Sequence, residues 1–106
     1  MDMNKEILLE AINYYDDYTV TQRKILKFLV NMAIDDIVVI TPAKLIKLLN
    51  ANKSTVYLAL GRFQEDKFIE LADPSKNGKF TKFKLNQEQL NVMIKRFELQ
   101  RNCRTD

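Results

Sequence analysis

The side chains best placed to do chemistry in this chain cluster between Asn52 and Arg62, in the run NKSTVYLALGR. Lys53 brings a charged donor for a guanine edge or a phosphate, and Ser54 and Thr55 bring hydroxyls that pair with several base edges. Tyr57 adds a phenol close behind. Asn52 is a natural N-cap for a helix beginning at Lys53, so these groups crowd its first turns beside backbone N–H groups that favour a phosphate. Arg62, about two turns beyond Thr55, is spaced to meet a sugar-phosphate backbone rather than bases. The chemistry on offer is binding.

Catalysis finds few parts. The 106 residues include no His, which removes Ser–His and Cys–His pairs. The one Cys, Cys103, stands near the C-terminus, and a zinc ligand set cannot be assembled. Asp16-Asp17 and Asp35-Asp36 are paired acids in apparent turns, where capping and solvation explain them better than acid–base work. Gly61 and Gly78 are the only glycines, so no glycine-rich phosphate loop exists. These features predict a non-enzyme with no metal, no cofactor and no small-molecule ligand evident.

Bulk properties narrow the class. The length suits one domain, and 46% hydrophobic with 29% charged residues is ordinary globular composition. No apolar run approaches the roughly 18 residues of a membrane span. The acids among residues 1–17 argue against a signal peptide, and a single Cys fits a reducing cytoplasm. Net charge is only +3. Its distribution says more: residues 1–20 hold Lys5 against Asp2, Glu6, Glu10, Asp16 and Asp17, a net −4, which leaves +7 for the rest. Residues 41–84 carry nine basic side chains against Glu65, Asp66, Glu70 and Asp73, a net +5. An acidic head and a basic body imply two different surfaces, the second suited to a polyanion.

The elements that position these groups follow from periodicity. Residues 3–17 predict a helix with Ile7, Leu8, Ala11, Ile12 and Tyr15 on one stripe. Thr21 is a candidate cap for a second helix over 22–33, with Ile25, Leu26, Leu29 and Met32 inward and Arg23, Lys24 and Lys27 outward. Ile37–Ile40 is a short β-branched strand after a turn at Asp35-Asp36. Thr41-Pro42 starts a third helix that carries Leu45, Leu48 and Leu49, and Asn50-Ala51-Asn52 breaks it. In the fourth helix Val56, Ala59, Leu60 and Phe63 recur at i, i+3, i+4, i+7. Two short helices, a turn of about three residues and a polar start to the second helix form a helix-turn-helix. Ile69 and Leu71 then share one strand face. Residues 73–79 are turn formers, and FTKFKL at 80–85 puts Phe83 and Leu85 on one side and Lys82 and Lys84 on the other. Asn86 caps a last helix over 87–101 with Leu90, Met93, Ile94 and Phe97 inward.

Over residues 20–86 the chain resembles the winged helix-turn-helix superfamily. The resemblance rests on Asn52-Lys53-Ser54-Thr55-Val56, on Ala59-Leu60 and Phe63, and on Lys67-Phe68-Ile69 before the basic hairpin. It implies an α+β, mostly α fold: a single winged domain with an N-terminal helix at 1–17, a winged core at 21–86 and a C-terminal helix at 87–101. The family's exit from the second helix is usually Gly-hydrophobic-Ile, and here Lys67 stands in place of the Gly. Gly61 inside the recognition helix is a further departure, costing about 1 kcal/mol relative to Ala.

The expected function is a homodimeric, sequence-specific protein that binds double-stranded DNA in the cytoplasm. Asn52, Lys53, Ser54, Thr55 and Tyr57 would meet bases or phosphates, and Arg62, Lys44 and Lys47 would meet backbone. Lys76, Lys79, Lys82 and Lys84 would follow the backbone along the hairpin, with Lys76 or Lys79 near the minor groove. The terminal helices offer a dimer surface through Ile7, Leu8, Ile12, Tyr15, Met93 and Phe97. They serve equally well to cap the domain's own core. Leu58 and Gly61, on the outward face of the recognition helix, suit a thymine methyl or a second copy of that helix. In layout, and in Lys53-Ser54-Thr55-Val56, the chain also resembles the TubR-type centromere-binding adaptors of tubulin-like plasmid partition systems. That resemblance implies paired recognition helices in one groove, a tubulin-like GTPase filament as partner and repression of the chain's own operon. A stand-alone transcriptional repressor, and a winged-helix protein-interaction module without DNA binding, are the alternatives.

Overall fold

Capping residues set most of the boundaries. The computed structural model describes residues 3–74 and 81–103, the side chains at 3, 4, 72–74, 81, 102 and 103 excepted. Helix α1 runs Met3–Asn13 and α2 runs Val20–Met32. The first helix is shorter than its 3–17 periodicity predicts. Tyr14 N–H and Tyr15 N–H donate to Ala11 O and Ile12 O in tight turns, and the chain leaves helical geometry there. Thr19, rather than Thr21, caps α2: its hydroxyl accepts from Gln22 N–H at 3.1 Å while the Gln22 side chain accepts from Thr19 N–H at 3.0 Å. This reciprocal capping box satisfies two orphan donors at once.

Asp35 and Asp36 both take positive φ, 53° and 69°, between Ile34 and Ile37, which exchange both backbone hydrogen bonds. That is the backbone of a two-residue hairpin turn. It feeds strand β1, Ile37–Val39. Thr41 caps α3, Pro42–Leu49, by accepting from Lys44 N–H, with Pro42 in the first turn. Asn50 ends α3 in the left-handed region, φ 52°. Two residues on, Asn52 Oδ1 accepts from Ser54 N–H at 2.8 Å and opens α4, Lys53–Glu65. Strand β2, Ile69–Pro74, and β3, Thr81–Leu85, form the hairpin, and helix α5 spans Gln87–Cys103. Asn86 Oδ1 caps α5 by accepting from Gln89 N–H. Asp73 and Pro74 therefore extend a strand rather than begin the turn.

The sheet order is β1-β3-β2, antiparallel throughout. Phe83 sits at its centre, opposite Val38 on one side and Leu71 on the other. The core joins Ile25, Leu26 and Leu29 of α2, Leu45 of α3, the Val56–Ala59–Leu60–Phe63 stripe of α4, and Phe83 and Leu85 of β3. Met32, expected inward, is exposed at the end of α2, and so are Leu48 near the end of α3 and Leu71 at the sheet edge. Tyr18 enters the core from the α1–α2 connection, with Phe63, Phe68 and Tyr15 packed around its ring at 4.9–5.9 Å.

The terminal helices pack on each other within the chain. Leu8, Ala11 and Ile12 of α1 and Leu90, Met93 and Phe97 of α5 are buried in the same core as the winged region. Leu8, Ile12 and Met93 therefore have no surface left for a second copy, a correction to their expected part in a dimer. Phe97 is nearly enclosed as well, with Tyr14 stacked on it at 5.6 Å. Tyr15, also expected at a dimer surface, is half-buried against Tyr18 and Phe68. Ile7 is half-buried.

Candidate nucleic-acid interface

Helix α4 sets its buried stripe against the core and turns the opposite side to solvent. At about 100° per residue, Ser54, Leu58, Gly61 and Glu65 fall on the line opposite Val56, Ala59, Leu60 and Phe63. Lys53 and Ser54 are exposed, Tyr57 is 51% exposed and Leu58 is 70% exposed. Tyr57, Leu58, Gly61 and Arg62 share a shallow open depression with Gln22, Gln64 and Glu65. A Cβ added at Gly61 meets nothing within 4 Å, so the depression is bare at that point.

Thr55 is placed differently from its neighbours. It is half-buried and lines a cleft with Thr21 and Lys24 of α2 and with Asn50, Ala51 and Asn52 of the turn. Asn52 spends its side-chain oxygen on the cap. Lys53, Ser54 and Tyr57 thus remain the exposed members of the predicted base-reading set whose side chains have no described partner. Lys44 and Lys47 stand exposed on α3, which packs against α4. Among the described residues the ion pairs are Arg62–Asp66 and Arg96–Asp17, and neither engages Lys44, Lys47 or Lys53.

Arg62 departs from its expected role. Its Nε donates to Asp66 Oδ2 at 3.1 Å and its guanidinium lies 5.3 Å from the centre of the Tyr18 ring. The same Asp66 oxygen accepts from the Tyr18 hydroxyl at 2.6 Å. Burial first, and then the hydrogen bond to Asp66, pushes the Tyr18 phenol far above its usual pKa. The side chain expected on a DNA backbone instead ties the end of α4 to the core. Sequence reading missed this cluster, although Arg62 and Asp66 at i, i+4 were a visible signal. A second anchor escaped it too. Arg96 of α5 pairs with Asp17 at 3.1 Å and lies over the Tyr15 ring at 5.1 Å, while Arg23 and Lys27 donate to the Asn13 carbonyl and side chain. Arg23 and Lys27 hold the α1 terminus rather than facing outward freely.

The hairpin carries less net charge than its lysines suggest. Lys82 and Lys84 are exposed opposite the buried Phe83 and Leu85, as alternation predicts. The register sets Glu70 directly across from Lys84. Opposed charges at such positions attract each other, so at this pair the outer face of the wing is mixed rather than basic. Lys76 and Lys79, the expected minor-groove residues, lie outside the described residues.

Three helices leading into a capped, outward-facing fourth, followed by a β-hairpin, can be compared with known proteins. No family model matches the chain, and no curated protein matches it. Solved structures do. A possible transcriptional regulator from Methanosarcina mazei Go1 superposes with a TM-score of 0.58 at 18% identity, over 95% of this chain and 81% of that one. The fold is a winged helix-turn-helix. The oxidized form of MarR from E. coli matches with a TM-score of 0.52 at 25% identity, over 95% of this chain and 75% of that one. A MarR mutant from E. coli complexed with operator DNA matches with a TM-score of 0.56 at 22% identity, over 92% of this chain. There the chain spans 66% of the MarR length. None of these three is a partition adaptor, and the tubulin-like GTPase expected from that resemblance gains no support from them. No described helix is long and apolar enough to cross a membrane.

Proposed function

We propose that this protein is a stand-alone transcriptional repressor that binds double-stranded DNA as a homodimer. The α4 face enters the major groove, and Lys44, Lys47 and Lys53 hold phosphates. The observation that carries this reading is the outward line of α4. Its first turn is capped by Asn52, its Ser54 and Tyr57 are exposed, and the described ion pairs leave the lysines around it uncompensated. A helix so placed offers free N–H groups and cations to phosphates, and polar side chains to base edges. The likeness in fold to MarR crystallised with operator DNA supports the same reading. It favours a repressor over the centromere adaptor expected from the sequence.

Two-fold dimers present two recognition helices to half-sites roughly 34 Å apart. With Leu8, Ile12 and Met93 spent inside one chain, the apolar groups left on the outer side of α5 are Val92 and Leu99. We place the contact between copies there.

The test is selection of duplexes from a random pool by the full-length protein, followed by titration of the selected site. Ser54→Ala should weaken that site by about 1 kcal/mol and relax preference at one position, leaving random DNA little changed. Lys47→Ala should weaken all duplexes alike and reduce the salt slope by about one. Absence of any duplex binding at low salt would refute the reading.

A further inference from the structure

Among the residues on the outward line of α4, one does not suit an interface built only from polar and cationic groups. Leu58 lies between Ser54 and Gly61, 70% exposed, in the shallow depression it shares with Tyr57, Gly61 and Arg62. A lone exposed leucine is ordinary on a protein surface; its surroundings distinguish this one. One helical turn further along the line, Gly61 leaves open space where a Cβ would stand, so that position adds no side chain to hinder approach beside Leu58. Lys53 begins the same helix and Lys44 and Lys47 project from the adjacent α3, all three exposed. The result is an exposed apolar tip on a helix whose first turn, like the neighbouring α3, carries exposed lysines. Glu65 closes the line at the far end, where a carboxylate disfavours a phosphate.

We propose that Leu58 reads the 5-methyl group of a thymine in the major groove and is a specificity determinant of the bound site. This rests on the DNA-binding reading above and adds to it a fixed thymine in each half-site. The chemistry is narrow. The thymine methyl is the one carbon group that projects from the major-groove edges of B-DNA; the groups read beside it are donors and acceptors. The exposed lysines of α3 and of the first turn of α4 suit the phosphates bordering that groove, which favours duplex DNA over an uncharged apolar partner. A leucine side chain closing over one methyl removes about one CH2 equivalent from water, worth about a fourfold change in affinity.

The experiment uses the wild-type chain, its Leu58→Ala variant and a duplex selected from a random pool. Each thymine of that duplex is replaced in turn by deoxyuridine, which deletes only the 5-methyl group. Affinity is read by fluorescence anisotropy at fixed salt, and oligomeric state by sedimentation. At one thymine per half-site, wild type should lose about fourfold, Leu58→Ala should lose a similar amount on the thymine duplex, and the variant should not respond to the deoxyuridine change. An equal response of both proteins to every deoxyuridine, or no response at all, overturns the assignment while leaving DNA binding intact. Failure of both proteins to bind any duplex overturns the DNA reading and this inference together. Conversion of a wild-type dimer to monomer by Leu58→Ala would assign the face to a second copy and also overturn it. Because Leu58 is exposed, an unchanged melting temperature is expected and shows that the variant reports on contact rather than folding.

Discussion

At the scale of single residues, the decisive finding is how the end of α4 is made. Lys67 takes a left-handed conformation, φ 67°, where this superfamily usually has Gly. A non-glycine residue there is strained, so Lys67→Gly should raise unfolding stability by about 0.5–1 kcal/mol in urea denaturation. One residue earlier, Asp66 gathers Tyr18 and Arg62 on a single carboxylate oxygen. Tyr18→Phe deletes a hydrogen bond to a charged acceptor from a ring that is 2% exposed, and should cost about 1–2 kcal/mol. The same residue sets a pH dependence. The folded state holds the phenolic proton more tightly than the unfolded chain, whose tyrosines titrate near 10. The stabilisation is therefore complete below pH 10 and is lost as pH rises above it. Thermal unfolding should show a fall in stability above pH 10 that is shallower in Tyr18→Phe. The sequence showed Lys67 as a misfit but could not say whether the turn would move or strain. It hid the role of Tyr18, because a contact across 48 residues leaves no local periodicity.

At the scale of elements, local chemistry was legible wherever a side chain closes its own backbone. The caps at Thr41, Asn52 and Asn86 stand where the sequence placed them, and each satisfies a donor the helix leaves orphaned. The α4 stripe was equally readable, since its period alone decides which face is buried. Two readings failed for want of tertiary information. Periodicity carried α1 on to 17, but Tyr14 and Tyr15 are recruited by Phe97, Tyr18 and Phe68 and leave the helix. Composition made the hairpin basic, but the register sets Glu70 opposite Lys84. Gly61 yields a prediction that separates fold from function. Ala at that position meets nothing within 4 Å, so Gly61→Ala should stabilise the protein by about 0.5–1 kcal/mol. If α4 enters a groove closely, the added methyl should also weaken specific DNA binding, read by anisotropy alongside the melting curve.

At the scale of the whole molecule, charge and shape divide the work. The chain is elongated, 53 × 27 × 22 Å, with α1 packed on α5 and the lysines of α3 and α4 belonging to the winged region. In the proposed reading those lysines would orient the protein on a polyanion before any base is read. The terminal helices were expected to form a dimer through Leu8, Ile12 and Met93, but one chain already encloses these residues. Leu99→Asp should therefore release monomers in sedimentation experiments without lowering the melting temperature, if α5 joins two copies by its outer side. The central claim is that the α3–α4 face binds duplex DNA through phosphates, and affinity measured against salt concentration tests it most directly. Three lysines on phosphates predict a slope of log affinity against log salt of about −2.7 for each protomer, and about −1.8 after Lys47→Ala. An affinity indifferent to salt, or a slope unchanged by that substitution, would contradict it.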